Sequence, residues 1–154
     1  MDRERLALLQ SMPVFGGISD DALAFLLEHS ALRNFAAGAQ IFREGDPASS
    51  MFVVERGSVD VQKMVDGEWH KIRELGQGDC FGEMALLDLY PRSASVFATG
   101  SCTLIEISQK SLFGLYSENL EQFTIIQMNI GREISRRLRL TDEQLFQCES
   151  KPPS

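Results

Sequence analysis

Eight of the chain's twelve glycines fall between Gly38 and Gly100. The intervals between them hold short runs rich in β-branched and aromatic residues: Gln40-Ile41-Phe42, Met51-Phe52-Val53-Val54, Ser58-Val59-Asp60-Val61, Trp69-His70-Lys71-Ile72, Ser95-Val96-Phe97 and Thr103-Leu104-Ile105-Glu106-Ile107. Several alternate apolar with polar, the period of a half-buried strand. Turn signals recur roughly every 8 to 12 residues, the rhythm of an all-β sandwich or barrel. Asp66-Gly67 between two runs is a two-residue hairpin signal, because a type I′ turn needs positive φ at both positions. Gly45-Asp46-Pro47 marks another turn. This punctuation leaves no room for long helices and predicts a β-roll over residues 32–108.

Both flanks read as helical. Residues 1–31 carry Leu6, Leu8 and Leu9, a break at Pro13, and then Ser19 as an N-cap with Asp20 and Asp21 in the first turn, where carboxylates suit the helix dipole. Residues 109–147 return to helical period. Leu112, Phe113 and Leu115 suggest a short helix, and Phe123, Ile126, Ile130, Ile134 and Leu138 form one apolar stripe on a longer one. Residues 149–154, ending Lys151-Pro152-Pro153-Ser154, read as a disordered tail. The expectation is one domain over residues 1–148, mainly β with flanking α.

Charge narrows the function. The net charge of −7 argues against general binding to nucleic acid or anionic membranes, which need an excess of Lys and Arg. It leaves room for a single anion site built from one arginine and backbone amides. The three cysteines, Cys80, Cys102 and Cys148, form no C-x-x-C pair and read as free thiols in a reducing cytosol. The N-terminus from Met1 has no signal-peptide core, and no apolar run approaches the ~18 residues of a membrane span. His29 and His70 are the only histidines. They do not cluster with acids as a metal site requires, and no nucleophile has an adjacent base, so neither a metal nor an enzyme is expected.

The segment with the most chemistry is Phe81-Gly82-Glu83-Met84-Ala85-Leu86-Leu87-Asp88-Leu89-Tyr90-Pro91-Arg92-Ser93-Ala94. Gly82 lets the backbone bend into a helical turn, whose opening N–H groups make an anion pocket. Ala85 is small enough for a phosphate to approach the main chain. Pro91 stops the turn just before Arg92, whose planar fork suits phosphate oxygens, and Ser93 adds a hydroxyl. Glu83 beside a phosphate makes sense as an acceptor for a neighbouring hydroxyl such as a ribose 2′-OH. The alternative is a plain surface ion pair between Glu83 and Arg92.

This segment resembles the phosphate-binding cassette of the cyclic nucleotide-binding domain family, whose pattern runs Phe-Gly-Glu, one residue, Ala-Leu, a spacer, often Pro, then Arg, a small residue and Ala. Phe15 with Ser19-Asp20-Asp21 is similar to the family's helical lead-in, and Gly45-Asp46, Gly57 and Gly78 fall where it places its β-roll turns. The resemblance implies an eight-stranded antiparallel jelly roll with helices at both ends. It implies that Glu83 holds the ribose 2′-OH and Arg92 the cyclic phosphate, with Gly82, Met84, Ala85, Leu86, Ser93 and Ala94 completing the ligand site. Leu89, where many members have glycine, is the one departure.

Arg136-Arg137-Leu138-Arg139-Leu140-Thr141-Asp142 resembles the stretch with which one branch of the family dimerises and touches the base. That makes Thr141, Asp142 and Arg137 candidates for the purine edge, or else helix-surface residues. The ligand implied is cAMP or cGMP, with bacterial members inclining the choice to cAMP. A homodimer through residues 118–145 is implied, the other reading being that the stripe folds back on its own β-roll. The arginines beside it read as a solvated face. The 13 residues after Thr141 are too few for a helix-turn-helix module, so a partner protein, not DNA, is expected to read the signal. Two alternatives stand: a degenerate fold serving as an interaction scaffold, and a sensor of cyclic dinucleotides.

Overall fold

The computed structural model describes residues 3–88 and 90–150. Met1, Asp2, Leu89 and residues 151–154 therefore lie outside the described residues. The chain opens with helix α1 (Arg3–Gln10), a 3₁₀ turn (Pro13–Phe15) and helix α2 (Asp20–Glu28). Ser19 caps α2 as its sequence predicts, its hydroxyl accepting from the Ala22 N–H at 3.2 Å.

Eight strands follow: β1 (Ala31–Phe35), β2 (Gln40–Phe42), β3 (Ser50–Arg56), β4 (Val59–Val65), β5 (Glu68–Leu75), β6 (Cys80–Phe81), β7 (Ser95–Ala98) and β8 (Cys102–Ser108). They form two four-stranded antiparallel sheets, ordered β1-β8-β3-β6 and β2-β7-β4-β5. The β4–β5 turn has Asp66 at φ 52° and Gly67 at φ 79°, the paired positive φ that a type I′ hairpin demands.

Strand alternation divides the apolar residues between two cores. On β3, Phe52 and Val54 point into the roll, joining Val59, Val61, Leu75, Phe81, Val96 and Leu104. Met51 and Val53 point the other way and pack, with Ile105 and Ile107, beneath the helices. A strand covered on both faces reads as a continuous apolar run, and Met51 to Val54 is one.

Helix α3 (Gln109–Glu118) and the long helix α4 (Leu120–Ser150) close the chain. The first half of α4 folds back on its own domain. Ile126 and Ile130 are buried, with Phe123 and Ile134 packed against them, and Asn129 Nδ2 donates to the carbonyls of Val14 and Gly16. Leu138, expected on the same stripe, is 60% exposed, and α4 stays exposed from there through Cys148. The helix also continues to Ser150, into the stretch expected to be a disordered tail: Thr141 to Gln147 contain no glycine or proline to stop it.

Candidate functional site

Between β6 and β7 the backbone makes a 3₁₀ turn over Glu83–Leu86, entered through Gly82 at φ 76°. Leu86 anchors the turn in the core under the helices. Gly82 is required twice over. Its φ is left-handed, and a Cβ there would lie 2.5 Å from Arg92 Nη1 and 3.3 Å from the Ser50 carbonyl oxygen.

Arg92 is held at the other end of the segment. Its N–H donates to Asp46 O at 2.9 Å and its carbonyl accepts from Gly45 N at 2.8 Å. The Gly45-Asp46 turn read in the sequence thus clamps the arginine's backbone. The guanidinium runs inward over the Phe42 ring, 4.1 Å from its centroid. Nη2 donates to Ser50 O at 2.8 Å and Nη1 to Gly82 O at 3.3 Å, whereas the buried Nε has no partner. The residue is only 8% exposed. Burial pushes its pKa down, while Glu106, Asp46 and Glu83 pull it back up. A buried cation bonded only to neutral carbonyls is one that an incoming anion stabilises.

Glu83 is 3% exposed. The surface ion pair with Arg92 does not form: the Oε1 of Glu83 accepts instead from Nη1 of Arg137 on α4. Glu83 Oε2 has no partner among the described residues. Arg137 also lies 3.6 Å from Glu133, one turn earlier, which pairs with Arg136 as well. The Glu133 carboxyl is held below its usual range, chiefly by the Arg136 hydrogen bond. The buried Cys80 thiol, beside Glu83 and Arg137, is pushed up to about 12, mainly by burial.

The other expected site residues divide. Gly82, Ala85 and Leu86 build the turn, and Ala94 is half-buried beside the inner core. The Ala85 N–H, expected to face a phosphate, donates to Gly82 O at 3.1 Å, because the 3₁₀ turn uses it for its own closure. Met84 is half exposed, and Ser93 is exposed with no hydrogen-bond partner among the described residues. Of the three base-edge candidates, Arg137 alone reaches the cassette. Thr141 and Asp142 are exposed, and the Thr141 hydroxyl donates back to Arg137 O. The arginines beside the stripe are not a uniformly solvated face either, since Arg137 is drawn in by Glu83. Sequence reasoning missed Phe42, the Ser50 carbonyl and Glu133. Only Glu133 left a signal, its i, i+4 spacing to Arg137.

The sequence model of the cyclic nucleotide-binding domain matches residues 32–119. The chain belongs to this family. As a cyclic nucleotide-binding domain it is 36% identical over 93 residues to the cAMP-dependent protein kinase type II regulatory subunit of Drosophila melanogaster, covering 60% of this chain and 25% of that protein. It is 28% identical over 138 residues to the Cyclic AMP receptor protein of Thermus thermophilus, covering 89% and 62%. The crystal structure of the Thermus thermophilus Catabolite Activator Protein superposes with a TM-score of 0.78 at 28% identity, over 89% of this chain and 63% of that one. The domain therefore spans from about a quarter to just under two thirds of the length of these relatives. Among the described residues, no helix of the domain is long and apolar enough to cross a membrane.

Proposed function

We propose that this domain is a non-catalytic, cytoplasmic sensor that binds a cyclic mononucleotide, cAMP or cGMP, and passes the event through α4 to a partner protein. One observation carries the reading: a nine-tenths buried arginine with an unpartnered Nε stands on the same short turn as a buried carboxylate with one unpartnered oxygen. Arg92 supplies the charge for a cyclic phosphate, and Glu83 Oε2 accepts from the ribose 2′-OH. A simple anion site would not need the carboxylate, and a structural ion pair would join the two residues to each other.

The link to α4 follows from Arg137. Because its guanidinium bonds the same carboxylate, any shift of Glu83 on binding the sugar is felt by the helix. The ligand biases α4 through its different contacts with the two arrangements. The helix exposes the apolar side chains of Met128, Leu138 and Leu145, against which a second copy would pair.

Calorimetric titration with cAMP and cGMP tests the reading. The expectation is micromolar or tighter binding, weakened in Arg92→Ala by roughly 2–5 kcal/mol, the range for truncating a buried charged contact. A scaffold with a degenerate site gives no heat with either nucleotide. A cyclic dinucleotide sensor answers only when that class is added to the panel. Hydrolysis of the nucleotide would overturn the non-catalytic reading.

A further inference from the structure

The inner face of the roll carries a carboxylate next to the anion-binding arginine. Glu106 of β8 pairs in register with Phe52 of β3. Two residues earlier on β8, Leu104 lies with Phe52 in the inner core. Side chains two apart on a strand share a face, so Glu106 stands on the inner side. The Phe52 ring centroid is 5.8 Å from the guanidinium carbon of Arg92. An acid at this position repels a phosphate, and a site shaped for affinity alone would not place one there.

Both oxygens of Glu106 are held from the neighbouring strands. Oε2 accepts from Ser50 Oγ on β3 at 2.8 Å, and Oε1 accepts from Arg33 Nη1 on β1 at 3.1 Å. Arg33 is exposed, whereas Ser50 is buried. The carbonyl of the same Ser50 accepts from Arg92 Nη2 at 2.8 Å. One buried serine therefore joins carboxylate and guanidinium, its hydroxyl bonded to the first and its carbonyl to the second.

The other carboxylates near Arg92 are committed elsewhere. Asp46 Oδ2 accepts from the Arg43 N–H of its own turn at 2.9 Å, and Glu83 Oε1 accepts from Arg137. Burial lowers the Arg92 pKa, and Glu106 is the foremost charge opposing that shift. A cation removed from water needs a compensating charge. In the empty domain Glu106 supplies it; once a ligand is bound, the phosphate does.

We propose that Glu106, acting through Ser50, is a positioning residue that balances the Arg92 cation in the empty domain and competes with the ligand phosphate, so that it stabilises the fold while weakening nucleotide binding. The inference rests on the cyclic nucleotide reading. It gives the domain a lower affinity than Arg92 alone would confer, and a ligand held less tightly leaves sooner when its concentration falls.

The test is calorimetric titration of the full chain and of Glu106→Gln with cAMP and cGMP, together with urea unfolding of both proteins without ligand. Glutamine keeps an oxygen for the Ser50 hydroxyl and removes the charge. Glu106→Gln is expected to lower the urea midpoint of the empty protein and to tighten nucleotide binding about three- to ten-fold, Arg33 already offsetting part of the charge. A merely structural role would lower stability and affinity together. Ser50→Ala, which cuts the link and leaves both charges, should move both quantities in the same directions by less. In an Arg92→Ala background the stability loss from Glu106→Gln should disappear, because no buried cation remains to be balanced. A loss that persists there overturns the proposal, as does unchanged or weaker binding by Glu106→Gln. If Glu106→Gln does not fold, the Ser50→Ala titration decides: tighter binding upholds the proposal, and equal or weaker binding overturns it. Nucleotide binding by the parent that neither variant tightens removes this inference and leaves the sensor reading standing. No heat from the parent with either nucleotide removes both.

Discussion

Arg137 Nη1 donates to Glu83 Oε1 although 54 positions separate them. The bond ties the cassette turn to α4 and uses one of the two carboxylate oxygens, so that the other is presented at a set angle. Arg137 is in this sense a positioning residue for Glu83. Arg137→Ala is expected to weaken binding of ribose-containing cyclic nucleotides by about ten-fold, as expected for one hydrogen bond to a charged group. It should leave affinity for the 2′-deoxy analogue unchanged. Titration of both proteins with both ligands checks this. An equal loss for the deoxy ligand would mean that Arg137 acts on some other part of the nucleotide.

The same variant should lower stability by about 1–3 kcal/mol, because a buried acceptor is left without its partner. Urea unfolding measures it, and Arg137→Lys should recover part of the loss.

Gly82→Ala should damage the site more than the fold. The added Cβ would stand 2.5 Å from Arg92 Nη1, and the left-handed φ adds strain of roughly 1–2 kcal/mol. The guanidinium is the movable neighbour, so it is the group displaced. The expected result is a loss of nucleotide affinity comparable to Arg92→Ala, with only a modest fall in melting temperature.

Cys80 gives the domain an alkaline limit. Burial pushes the thiol from its ordinary 9.0 to about 12 in the folded state. Folding therefore holds a proton that the unfolded chain releases. The contribution is fully present below the unfolded thiol's value and disappears as the pH climbs from about 9 towards 12, at up to ~1.4 kcal/mol per pH unit. Stability at pH 10.5 should fall below that at pH 8, and Cys80→Ala should show a shallower decline. Equal slopes in the two proteins would remove Cys80 as the cause.

If α4 is a seam between two copies, charge on its free face should separate them. Leu138 and Leu145 are exposed at 60% and 57%. The double variant Leu138→Asp, Leu145→Asp is expected to sediment as a monomer where the parent sediments as a dimer, with nucleotide affinity retained in the monomer. A parent that is already monomeric at micromolar concentration would dismiss the seam.

Much of the architecture is local and was therefore legible in the sequence. Glycines that break strands, the Asp66-Gly67 turn, the Ser19 cap and the alternation along β3 each depend on neighbours a few residues away, and each specifies its own backbone. The cassette was legible for the same reason: Gly82, Glu83 and Arg92 lie within one short stretch of chain. What surrounds them was not, because their partners come from distant strands and helices. That Arg92 lies over Phe42, that Glu83 turns to Arg137 and not to Arg92, and that Thr141 and Asp142 stay in solvent were decided by how α4 crosses the roll. Burial then raised the stakes of those contacts, since a charge removed from water must find whichever partner the packing brings within reach.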